Sequence, residues 1–265
     1  MRSFSCFGML LVIVGVAPVL AGPTGYSVRS NADQHLYSID LGTGVATDLG
    51  LLNFSDAEGL AFAGSRLYAI GGFVAEFWNI TSPPGVLVGA TGARNGIDAG
   101  LDFDETQNKM YNLNSDAGSS SLYEINIANG AANLVGSDTI FGDGLAIDSN
   151  GRAFSADWIF TDSLYAVNLA NGDLTVVGGL GLGDVFLQSG LAFDPSDVLY
   201  ALTSSGGIYT LNTGTGQAAF QAQVTLAGNA IDDFEGLAII PEPSTLALAA
   251  LGLVLLAVYG RRRKR

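Results

Sequence analysis

"EGLAFAGSRLYAIGGFVAEFWNIT", residues 58–81, reads as three short strands: Gly59–Phe62, Leu67–Ile70 and Phe77–Thr81. Each is a run of aromatic and aliphatic residues bounded by Gly, Ser or Asn, the pattern of a β-strand. The first string recurs as "GLDF" 100–103, "GLAI" 144–147, "GLAF" 190–193 and "GLAI" 236–239, at intervals of 41, 44, 46 and 46 residues. The second recurs as "MYNL" 110–113, "AFSA" 153–156 and "LYAL" 199–202, and the third as "LYSID" 36–40, "LYEIN" 122–126, "LYAVN" 164–168 and "IYTLN" 208–212. A Gly-bearing turn and a run such as "VATDLG", "AANLVG" or "DLTVVG" complete the unit. Four strands per 40–45 residues is the period of a β-propeller blade, and no sustained helical period competes with it.

The last unit begins at Gly236 and lacks a second string, whereas "GYSV" 25–28 stands unclaimed just ahead of "LYSID". One blade is therefore expected to take its innermost strand from the C-terminal end of the body and three strands from the N-terminal end. That arrangement closes the ring and removes an open edge. The expected fold class is all-β, a propeller of about five four-stranded blades.

The flanks differ from this body. Residues 1–21 carry Arg2, an apolar run from Cys6 to Leu20 and a small residue at Ala21, the layout of a secretory signal peptide. Residues 241–265 run Pro241-Glu242-Pro243-Ser244-Thr245, then an uncharged apolar stretch to Tyr259, then Arg261, Arg262, Arg263, Lys264 and Arg265. About 16 residues make a helix of about 24 Å, short for a bilayer but workable where arginines snorkel. The basic cluster should stay cytoplasmic, with Pro241–Pro243 at the outer surface. Three segments follow: signal peptide 1–21, repeat domain 22–240 and tail 241–265.

The body holds five basic and 24 acidic residues, a net charge of −19, and no Cys. Such a charge opposes nucleic acid and anionic lipid, and favours cations or basic partners. Disulfides and thiolate metal sites have no residues to build them. The loops leading into the first strings are the longest and hold Asp56, Glu58, Asp98, Asp138, Asp143, Asp184, Asp232, Asp233 and Glu235. Glu58, Asp143 and Glu235 immediately precede the Gly of their strings, so they are expected to converge at the channel mouth, with Ca²⁺ as the candidate ligand. A solvated acidic rim is the competing reading. "DSNG" 148–151 is expected to be a type I′ hairpin turn. The single histidine, His35, stands apart from the acidic loops with no nucleophile motif beside it, and reads as structural. "GLGLGD" 179–184 lacks the Lys-Ser/Thr of a phosphate loop and reads as a plain loop. Trp78 and the tyrosines fall at strand register and read as core.

Pro241-Glu242-Pro243, the apolar run and the terminal basic cluster together resemble the PEP-CTERM sorting signal of bacterial exosortase substrates. The resemblance covers about 25 residues. It implies export, an inner-membrane-anchored precursor and processing near Pro241–Pro243 by exosortase, a membrane-embedded cysteine protease. Delivery to the cell surface or exopolysaccharide matrix of a Gram-negative bacterium is implied as well. Two functions stay open: a surface or matrix binding module with no catalytic residues, or a secreted hydrolase (glycosidase or lactonase) using channel carboxylates and a metal.

Overall fold

The computed structural model describes residues 22–29, 32–93, 96–116, 118–157, 160–183 and 189–240. The segments read as signal peptide (1–21) and as sorting tail with its helix (241–265) lie outside the described residues, as does Asp184. Among the described residues no helix is long and apolar enough to cross a membrane.

The strands fall into five four-stranded antiparallel sheets. The chain opens with β1 (Thr24–Val28), β2 (His35–Asp40) and β3 (Ala46–Leu51). A second sheet follows as β4 (Gly59–Ala63), β5 (Arg66–Ile70), β6 (Glu76–Asn79) and β7 (Val86–Ala90). The third is β8 (Asp98–Asp104), β9 (Lys109–Asp116), β10 (Ser119–Ile125) and β11 (Ala132–Asp138). The fourth is β12 (Asp143–Ile147), β13 (Ala153–Asp157), β14 (Ser163–Val167) and β15 (Leu174–Gly179). The fifth is β16 (Ser189–Phe193), β17 (Leu199–Thr203), β18 (Gly207–Leu211) and β19 (Ala218–Gln223). A small hairpin, β20 (Thr225–Leu226) with β21 (Asn229–Ala230), precedes the last strand, β22 (Glu235–Ile239). β22 pairs with β1, giving the order β22-β1-β2-β3. The shared blade expected from the string order is present, and "GYSV" is its second strand.

Each pair of neighbouring blades encloses its own apolar core. Val28, Leu36, Leu60 and Leu67 pack between the first and second blades, and Leu101, Met110 and Phe77 between the second and third. Leu113, Leu145 and Val167 fill the next gap, Leu164, Leu191 and Ala201 the fourth, and Leu202, Ile208, Ile39 and Leu237 the last. Trp78 packs against the first of these cores, stacked on Phe54 with ring centroids 5.1 Å apart. The alternating side chains of a strand explain the arrangement: one face of each blade serves one core and the other face serves the next.

Glycine marks where blades touch through backbone. The inner strands follow one another around the axis as β4, β8, β12, β16 and β22, returning to β4. A Cβ on Gly59 would strike the Ala99 carbonyl, one on Gly100 the backbone of Gly144, and one on Gly190 the backbone of Leu237. The Gly that opens each of these three strings is thus set by close approach at the axis. At the rim, turn glycines Gly130, Gly172 and Gly216 lie against Gly89, Gly136 and Gly178 on the outer strand of the preceding blade. In the second blade the turn carries Pro83, which lies against Gly50 instead. Every outer strand breaks register once, as between Leu122 and Tyr123; such a bulge bends the edge strand.

Turn chemistry corrects one expectation. In the β12–β13 turn only Gly151 (φ 78°) is left-handed, its N–H bonds to the Asp148 carbonyl at 2.9 Å, and the Asp148 carboxylate accepts the N–H groups of Asn150 and Arg152. A type I′ turn needs two left-handed residues. This one is a longer hairpin capped by Asp148, and Asp104 and Asp194 cap the equivalent turns.

Candidate functional site

The loops running into the inner strands form one face of the ring, here the front; the inner strands end at the back. Glu58 lies just ahead of β4, its N–H bonded to the Ile70 carbonyl at 2.9 Å. Glu235 opens β22. Both are buried, at 8% and 2% exposure, and their side chains hydrogen-bond to each other. Burial and the charges of Glu235, Asp98 and Asp56 hold the Glu58 carboxyl well above the usual carboxylate range. Asp98, buried at the start of β8, is the third member of this group.

Asp143 is also buried, but it opens β12, which β8 separates from β4 and β16 separates from β22. Glu58 and Glu235, two of the three expected carboxylates, stand together with Asp98 beside them. Among the described residues no three His, Cys, Asp or Glu side chains are placed to hold one metal ion. A hydrogen-bonded pair of carboxyls accommodates a shared proton.

Other front-face acids are committed locally. Asp56 Oδ2 accepts the Val74 N–H at 2.6 Å, Asp138 accepts the N–H groups of Ile140 and Leu174, and Asp232 faces Arg29 at 3.6 Å. His35 Nδ1 sits 2.8 Å from the Asp48 carboxylate on the neighbouring strand, away from the channel. Asp162 accepts the N–H groups of Leu182 and Gly183, fixing part of the "GLGLGD" loop.

The back of the channel opens into a cavity of about 260 Å³ lined from all five inner strands. Its collar is the fourth residue of several repeat strings: Phe62, Phe103, Ile147, Phe193 and Ile239. The third residue of the strings is Ala61, Ala146, Ala192 and Ala238 in four blades and Asp102 in the third. Asp102 Oδ2 accepts the Ile147 N–H across the blade boundary at 2.6 Å, and Oδ1 accepts the Phe103 N–H at 2.8 Å. Burial pushes its pKa up to about 7; the two N–H donors oppose that shift, and the charges of Asp104 and Glu105 add to it. Glu105, Asp194 and Asp197 continue the acidic lining, and among the described residues no Lys, Arg or His belongs to it. Asp197 takes two hydrogen bonds from Ser149, at 3.0 and 2.7 Å, which lower its pKa.

Asp102 was not singled out from the sequence, because "GLDF" passes as one more apolar string. Column-by-column comparison of the five strings isolates it: it is the one charged residue at a position otherwise occupied by Ala.

Residues 240–264 match the PEP-CTERM protein-sorting motif. No curated protein is similar enough to the chain to count as a relative. Among solved structures the chain is similar to one in a nidogen/laminin complex, at 12% identity and a TM-score of 0.52, covering 78% of this chain and 81% of that one. It is similar to a putative gluconolactonase at 11% identity and a TM-score of 0.51, covering 78% and 82%. These likenesses join proteins of different description and show the fold alone. The chain thus carries a PEP-CTERM sorting motif that starts at the residue after the last strand of a five-bladed propeller.

Proposed function

We propose that the protein is an exported, exosortase-processed surface or matrix protein whose propeller is a binding module, with its ligand site at the back-face cavity. The observation that carries this reading is the junction at Ile239–Ile240. The sorting motif follows β22 directly, so the propeller is what the motif delivers. The binding role is supported by a concave site lined from every blade, the kind of place where a rigid scaffold presents recognition groups. With a body charge of −19, a matrix partner is a neutral or cationic glycan, since a polyanionic one is repelled. Delivery to the surface of a Gram-negative cell belongs to this proposal. The gluconolactonase likeness supplies no substrate at 11% identity, and catalysis is not part of it.

Replacing Arg261–Arg265 by neutral residues removes the orienting charge. The expected result in the native host is loss of processing and accumulation of full-length precursor, read by immunoblot of cell fractions. Normal maturation of that variant would contradict the sorting half of the proposal.

A further inference from the structure

We infer that the back-face mouth of the channel is a site for a small organic ammonium ion, a protonated or quaternary amine on a compact body. This rests on the reading of that cavity as the ligand site and goes further by naming the ligand's chemistry. Three aromatic side chains, Phe62, Phe103 and Phe193, come from three different blades to one cavity. Asp102 reaches the same cavity from an otherwise apolar level of the channel. Aromatic faces attract a cation through the ring quadrupole, and more strongly where water is displaced. A carboxylate at the floor of such a collar adds a point charge in a medium that screens it poorly. Among the described residues the lining contains acids and no bases, which disfavours anions. Shape, aromatic content and charge all select the same ligand class.

The carboxyl of Asp102 gives the site a pH dependence. The groups facing it are Asp104 and Glu105 on its own hairpin and Asp194 and Asp197 on the β16–β17 turn. One base, Arg152, acts on Asp197 and is ion-paired with Asp148 at 2.6 Å. With its pKa near 7, Asp102 is largely protonated at pH 5.5 and charged at pH 8, so ammonium affinity should rise between them.

The test is calorimetric titration of the full chain in a non-ionic detergent with choline and with 3,3-dimethylbutanol, its neutral isostere. At pH 8 choline should bind at least tenfold more tightly than the isostere, and the gap should shrink severalfold at pH 5.5. Asp102→Asn should abolish the preference. Phe62→Leu leaves both backbone bonds of Asp102 in place and should weaken choline severalfold while leaving the isostere unchanged. Equal affinity for the two probes would overturn the ammonium assignment while leaving a ligand site at the cavity. Absence of binding by both would overturn the assignment together with the ligand site, and neither outcome bears on sorting.

Discussion

At the scale of single residues, the front mouth is governed by protons. Glu58 and Glu235 share a hydrogen bond while Asp98 and Asp56 add negative charge. The folded chain therefore keeps a proton that an unfolded carboxyl releases near its ordinary pKa of 4.5. Its contribution to stability is fully present below that pH and is lost as pH rises from there through the raised folded value. Melting temperatures of wild type should thus fall with rising pH above about 4.5, and Glu58→Gln should flatten the trend. At pH 8 the variant should be the more stable, since it has no carboxyl to ionise at that position. A wild type that instead melts higher as pH rises, or gains stability from calcium that Glu58→Gln abolishes, would place a cation where this account places a proton. The sequence made Glu58 and Glu235 visible because both precede the repeat Gly. Asp98 stands one position earlier, before Ala99, and column alignment does not select it. Asp143 occupies the same column and opens β12.

At the scale of strands, the decisive element is β1. It holds β22 by backbone pairing, and the Ser27 hydroxyl donates to the carbonyls of Glu235 and Gly236 at 3.0 and 2.7 Å across more than 200 residues of chain. Ser27 is fully buried. Removing its hydroxyl leaves two carbonyls without that donor, a loss of about 1–2 kcal/mol. Deleting residues 22–28 should cost far more, because it exposes one edge of β22 and opens the ring. The deletion should abolish the cooperative melt of the propeller, followed by far-ultraviolet circular dichroism; an unchanged transition would contradict the shared blade. This closure was legible in the sequence, since a missing string at one end matched an extra string at the other. The hairpin types were less so. "DSNG" contains the Asn-Gly pair of a two-residue turn, yet the Asp148 carboxylate captures the Asn150 and Arg152 N–H groups and stabilises a longer one.

At the scale of the whole molecule, five interblade cores and two sets of glycine contacts make the ring a single closed unit. Its back face carries both the cavity and the point where the chain leaves β22. Ile239 and Ile240 line the cavity, and Pro241 is the next residue. The last described residue, Ile240, therefore stands at the cavity's rim. Composition could announce an acidic body but could not show which acids face a cavity, because Asp104 and Asp148 are spent on turns while Asp102 lines the cavity. The central claim is that the tail is temporary and the propeller is the cargo. Intact-mass and C-terminal peptide analysis of the protein recovered from the surface fraction of its native host tests this most directly. The account predicts a mature chain that keeps Ile239 and β22, ends near Pro241–Pro243 and lacks Arg261–Arg265. A surface protein that still carries the complete C-terminus through Arg265 would contradict it.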